Sequence, residues 1–288
     1  MEDPQWWSNR IFCMVGPDAV RRQLVGEILD QFSEIGIKLL AWRSANIGPM
    51  CVDAMSETQG AAAGQTYRYR AMDALFALGP VVLLVLEDTE GRDHDSLYKA
   101  ANELKGHSDP RLAASGTIRN SLGAVNVAMS LLHVSDSAAH SAREAVLLGG
   151  AARPADYSSA DRMADYLTLL RAAQAPETRL FPQALAGVRG RLLSACWGSL
   201  TENGRRLAAE RAAEGRLAEA ECGRLLAAEL PRGGTEDQFA ELLSIPFDGS
   251  EPPCDMDRVQ SLLRLHSLGL DSWEHAVLAT SNYFPPMR

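Results

Sequence analysis

Apolar positions follow two different rhythms along the chain. Over the first 150 residues, short apolar runs alternate with stretches in which apolar residues recur about every four positions. Ile11-Phe12-Cys13-Met14-Val15, closed by Gly16-Pro17, predicts a buried strand. Val20, Leu24, Ile28 and Phe32, with Val25 and Leu29 alongside, predict one helix face that ends at Gly36. Ile37 to Trp42 predicts a second strand, and Met72, Leu75 and Phe76 predict a helix over 70–78. Val81 to Leu86 is an unbroken apolar run, too short for a buried helix, and predicts a third strand. A helix over 96–105 and an irregular loop over 106–124 follow. Val125 to Leu132 then predicts a last strand-like stretch leading into His133, and a helix opens with Asp136 or Ser137 as its N-cap. From Asn46 to Gln65 the small-residue-rich chain predicts no clear element.

The order β-α-β-(α)-β-α-β-α predicts an α+β sandwich of the ferredoxin-like kind rather than a doubly wound sheet. Residues 1–8 read as an N-terminal arm, 9–150 as this domain and 151–158 as a linker. Beyond it, over 159–288, the strand signal disappears and an all-helical region is predicted. Met163, Leu167 and Leu170 mark one helix, and Leu185, Val188, Leu192, Cys196 and Leu200 mark another. The Ala/Leu/Glu/Arg segment from Asn203 to Leu230 reads as a charge-laced helical stretch, solvated or packed on another chain. A Gly/Pro-containing stretch separates it from a helix over 257–268, and Tyr283-Phe284-Pro285-Pro286 predicts an extended tail.

Composition narrows the classes. There are 28 Lys and Arg against 37 Asp and Glu, a formal charge of −9, so no general attraction to a nucleic acid or an anionic membrane is expected. No apolar run reaches membrane-spanning length. The opening Met1 to Trp7 has neither a basic n-region nor an Arg-rich, acid-poor character, which suggests a cytoplasmic protein. The five cysteines are scattered and read as free thiols, giving no zinc site and no disulfide framework.

The chain has no Gly-x-x-x-x-Gly-Lys-Ser/Thr, no Gly-x-Gly-x-x-Gly and no His-Glu-x-x-His, and no metal site is predicted. His133 is the one histidine with an informative setting. It ends an apolar run and precedes Ser135-Asp136-Ser137 and a helix start, a place that favours an anion. Glu144 lies two helical turns beyond Ser137, where it could reach back to orient an imidazole.

These residues belong to a series that resembles the nucleoside diphosphate kinase family. Met14 to Val20, running on to Ile28, is similar to its first strand and helix. Gly79-Pro80-Val81-Val82 resembles the start of its central strand, and Ser115-Gly116-Thr117-Ile118-Arg119 its Pro-Gly-Thr-Ile-Arg loop. Leu131 to Ser137, with Ala142-Arg143-Glu144, resembles the segment that carries the phosphorylated histidine. The resemblance implies a ping-pong phosphotransferase using a Mg-nucleotide and no other cofactor. In it His133 is the nucleophile, Glu144 its orienter, Arg119 a phosphate clamp, Ser135 a supporting hydroxyl, and Ser108 the substitute for a phosphate-contacting threonine. Tyr67 and Tyr69 flank the place of the base-stacking aromatic.

The same resemblance marks departures. Gly16 replaces a lysine, Met129-Ser130 an Arg-Asn pair whose Asn contacts the sugar, Asn102 an arginine that grips the terminal phosphates, and Val134 a glycine. The tyrosine that steadies the histidine has no clear counterpart between Asp53 and Gln65. These losses imply a structural or interaction protein built on a degenerate domain. Its partners would be other proteins of a larger assembly, held through the C-terminal helices and the terminal aromatics Trp6, Trp7, Tyr283 and Phe284. The resemblance to divergent family members joined to extra helical segments implies a ciliary or flagellar axoneme in particular. The alternative is an active or weakly active kinase working through His133.

Overall fold

The computed structural model describes residues 4–51, 54, 66–149 and 156–287. These form two compact units, Met1–Thr178 and Arg179–Arg288.

The first unit is built on an antiparallel sheet of order β4-β1-β3-β2-β5, with strands β1 Arg10–Val15, β2 Ile37–Ala45, β3 Val81–Asp88, β4 Leu132–Val134 and β5 Ser158–Ser159. The two strands with the most continuous apolar runs, β1 and β3, are the inner pair. They register from Arg10 opposite Glu87 to Val15 opposite Val82. β3 is buried over all of Val81–Leu86 and β1 over Ile11–Val15, as strands covered on both faces must be. β2 alternates in exposure and carries a bulge between Leu39 and Ala41. The ferredoxin-like α+β sandwich is therefore the observed fold of this unit, followed in sequence by a helical region.

The helices of this unit are α1 Pro17–Arg21, α2 Val25–Glu34, α3 Thr66–Phe76, α4 His94–Lys105, α5 Ile118–Ser121, α6 Ala138–Gly149 and α7 Met163–Ala173. The single helix expected over 20–32 is two, because Gln23 turns the chain at φ +60° between α1 and α2. The strand expected over Val125–Leu132 is a loop for most of its length. Asn126 Oδ1 accepts from the N–H groups of Ala128 and Met129, folding the chain locally before it can pair. Pairing begins at Leu132, so His133 lies inside β4, opposite Met14, rather than after its end.

The N-terminal arm is not free. Trp7 is fully buried in the core of the unit and packs edge-on to Phe12, while Arg10 lies over the Trp6 ring. Trp7 is thus a core residue rather than an exposed anchor. The boundary expected at 151–158 also shifts. Residues 151–155 lie outside the described residues, but β5 pairs with β2, Trp42 Nε1 donates to Ser159 O at 3.1 Å, and Tyr166 of α7 packs on Trp42. The first unit therefore continues to Thr178.

The second unit is helical throughout its described residues: α8 Phe181–Ala195, α9 Glu202–Ala213, α10 Ala220–Ala228, α11 Thr235–Ser244, α12 Met256–Leu265 and α13 Ser272–Ser281. The charge-laced stretch from Asn203 to Leu230 is broken in two by a turn at Gly215, φ +69°. α11 and α13 occupy stretches where no helix was expected. The fully buried Arg189 ties the unit together, donating to the carbonyls of Leu217, Glu219 and Ile245. The expected extended tail instead continues α13 as a turn, with the N–H groups of Tyr283 and Phe284 donating to Thr280 O. Tyr283 and Phe284 are half-buried there. Among the described residues no helix is long and apolar enough to cross a membrane.

Candidate active site

β4 alternates across the sheet. Leu132 and Val134 are buried in the core, and His133 faces the other way, partly exposed. Val134, the residue that replaces a glycine, therefore adds its bulk to the core and not to the face that carries His133. Ser137 Oγ accepts from His140 N–H at 3.2 Å and so acts as the N-terminal cap of α6, one of the two residues expected there. Two turns along, Glu144 returns to β4. His133 Nε2 lies 2.8 Å from Glu144 Oε2, and Ser135 Oγ donates to the same oxygen at 2.5 Å.

Burial pushes the Glu144 carboxyl upward, but the His133 hydrogen bond and charge and the Ser135 hydroxyl outweigh it, and the net direction is downward. An ionised carboxylate accepts only, so the proton of the contact sits on Nε2; whenever the imidazole is neutral, the lone pair is therefore on Nδ1. Ser135, fully buried, thus supports Glu144 rather than facing the pocket.

Arg119 lies in α5, and its side chain is 5% exposed. Its Nε donates to Ser130 O, its Nη1 to Gly106 O, and its Nη2 to Leu132 O at 2.9 Å and Ser130 Oγ at 3.4 Å. The guanidinium is chiefly a buttress under the loop that delivers His133, with one N–H left over. Burial brings its pKa down to about 10.

Arg119 also lines an open depression of about 550 Å³ with Asn102, Lys105, Ser108, Thr117 and Asp136. Ser108 is exposed there. Asn102 does not reach out. Its Nδ2 donates to Tyr98 O and, at 3.4 Å, to Ser135 O. Met129 is fully buried. Tyr67 and Tyr69 lie on α3, but their side chains, like residues 55–65, are outside the described residues.

Two site residues were not singled out from the sequence. Asp18, 2% exposed, accepts from Leu131 N–H at 3.0 Å, and Gly16 N–H donates to Leu131 O at 2.8 Å. Leu131 is held in a left-handed conformation, φ +72°, two residues before His133. Burial pushes the Asp18 carboxyl upward, against the pull of the Leu131 and Ala19 N–H groups and Arg22. The Pro17-Asp18 dipeptide after an apolar run was the available signal. The other is Lys105, three residues after Asn102 on one helix face.

Sheet order and site together define a class: a ferredoxin-like domain that presents a partly exposed histidine oriented by a buried carboxylate, with Arg119 joining the loop that delivers it to an open depression whose lining does not include His133 itself. Residues 9–149 match the family model described as nucleoside diphosphate kinase. A nucleoside diphosphate kinase of Pelotomaculum thermopropionicum is 31% identical over 158 residues, covering 55% of this chain and 93% of that protein. One from Carboxydothermus hydrogenoformans is 34% identical over 140 residues, 48% of this chain and 86% of that protein. A solved nucleoside diphosphate kinase family protein from Babesia bovis is 29% identical, with a TM-score of 0.42, covering 52% of this chain and 93% of that one. The chain belongs to the nucleoside diphosphate kinase family.

Proposed function

We propose that the first unit is a phosphotransferase that forms a phosphohistidine at His133 from a Mg-nucleoside triphosphate and returns the phosphoryl group to a diphosphate. The observation that carries this reading is the His133–Glu144–Ser135 arrangement, which engages Nε2 with the carboxylate and so assigns the lone pair of the neutral imidazole to Nδ1. In the first half-reaction the Nδ1 lone pair forms a bond to the γ-phosphorus as the bond to the β-bridging oxygen breaks and the nucleoside diphosphate leaves. The imidazole becomes cationic, and Glu144, already ionised, stabilises it through Nε2–H. The second half-reaction is the reverse, with another diphosphate as acceptor.

The grip on the nucleotide is weak at the sugar, since Gly16 and Ser130 have no side chain long enough to replace the lysine and asparagine. That supports loose nucleotide selectivity and a slow rate. Incubation of the full chain with γ-labelled ATP should give an acid-labile adduct that His133→Ala abolishes and that added diphosphate removes. Absence of any adduct at stoichiometric enzyme overturns the reading.

The departures at Gly16, Asn102, Met129 and Ser130 favour a second reading, an interaction module in a larger protein assembly such as an axoneme. Retention of partners by His133→Ala, with no adduct on the parent, would support it over the first.

A further inference from the structure

α4 ends at Lys105, and Gly106 continues the chain at φ +87°. A Cβ at position 106 would stand 2.5 Å from Thr117 Oγ1 and 2.7 Å from Thr117 Cβ. Only glycine lets the end of α4 lie against the Thr117 turn, and Gly106 O is then fastened by Arg119. This close approach places Lys105, Ser108, Thr117 and Arg119 around one depression.

Within it the two cations differ in what they have left to offer. Four of the five guanidinium N–H groups of Arg119 are already used by Gly106, Ser130 and Leu132. Lys105 Nζ donates to Asn102 Oδ1 at 2.5 Å, which leaves two of its three N–H groups for a ligand. Asn102 is itself anchored by Tyr98 O and Ser135 O, so it acts as a bracket that holds the ammonium over the pocket. The bracket connects Lys105 to the histidine through a chain of contacts: Asn102 bonds to Ser135 O, and Ser135 Oγ donates to Glu144, the partner of His133. Burial and the like charge of Arg119 lower the amine's pKa, while Asp136 opposes them.

We propose that Lys105 is the phosphate-binding cation of this site, taking the charge of the terminal phosphates of a nucleoside di- or triphosphate in place of the cations missing at Gly16 and Asn102. The assignment rests on the reading of the site as a nucleotide phosphotransferase. It makes the change at position 102 half of an exchange: the cation moves one helical turn along α4, and the residue at the old position becomes its support.

The test is calorimetric titration of the full chain with MgADP and with AMP. Lys105→Met and Lys105→Gln keep an aliphatic stem without the charge, and Lys105→Arg keeps the charge. One charge-assisted hydrogen bond to a phosphate corresponds to about a tenfold to hundredfold change in affinity. The neutral variants should lose ADP affinity by that factor, hold AMP affinity within about twofold, and so lose most of the parent's preference for ADP over AMP. Lys105→Arg should restore the preference. ADP binding within about twofold of the parent in either neutral variant, with an unchanged melting curve, overturns the assignment. If the parent binds ADP with this dependence on Lys105 but never labels His133, the phosphotransferase reading fails and Lys105 stands. If the parent binds no ADP at millimolar concentration, both fail.

Discussion

Asp18 fills the space that a side chain at residue 16 would need. A Cβ built on Gly16 falls inside the contact distance of Asp18 Oδ1 and 3.3 Å from Leu131 O. Gly16 itself has an ordinary extended backbone, φ −68° and ψ 159°, so the requirement is one of close approach and not of conformation. The Asp18 carboxylate cannot simply swing away, because its other oxygen holds Leu131 N–H. Restoring the family's lysine by Gly16→Lys should therefore cost about 1–3 kcal/mol of stability and leave phosphohistidine formation no faster than in the parent. Urea unfolding and the labelling assay on the same preparation measure both.

Glu144 supplies a second prediction, with a definite sign. Its carboxyl lies below the ordinary 4.5 in the folded protein, so its interactions contribute stability that is fully present above 4.5 and is lost as pH falls through the folded value. Glu144→Gln should be less stable than the parent at pH 7, and the gap in urea midpoints should close below pH 4.5. At neutral pH the same variant should label His133 about 10²-fold more slowly, since the cation formed on the ring loses its charged partner.

Arg119 is expected to reveal itself first through stability. Arg119→Ala leaves the carbonyls of Gly106, Ser130 and Leu132 without a buried donor, and the loss should reach at least about 3 kcal/mol. Arg119→Lys, which can satisfy fewer of these acceptors at once, should recover only part of it. An unchanged unfolding midpoint in Arg119→Ala would show that the buttress is dispensable.

Truncation should respect the observed boundary. A chain of residues 1–178 keeps β5, the Trp42–Ser159 hydrogen bond and the Tyr166 packing on Trp42, and should melt in one sharp transition. A chain ending at 157 exposes the edge of β2 and should melt lower and aggregate more readily. Differential scanning calorimetry of the two compares them directly.

The inner strands were legible because β1 and β3 are buried on both faces, so their apolar runs need no periodicity to be read, and Glu144 was legible because a two-turn spacing puts residues on one helix face. A resemblance in ordered motifs added His133 and its companions. Other features depend on contacts between residues far apart in the chain. The break at Gln23, the loop that Asn126 imposes before His133, the burial of Trp7, and β5 joining β2 are settled by which partner each group finds once the chain has folded. No local pattern records that.

The same division runs through the site. From sequence alone Gly16 and Asn102 were losses and Arg119 was a clamp, because a motif assigns a residue the role of its position. The tertiary structure decides how many donors each side chain has already spent and what occupies the space beside it. Gly16 makes room for Asp18, Arg119 serves backbone carbonyls, and Asn102 carries Lys105. Sequence determined that this chain carries a ferredoxin-like domain with a carboxylate-oriented histidine. How many donors Lys105 and Arg119 have left was decided only by packing, since hydrogen-bond capacity is finite and is shared out in three dimensions.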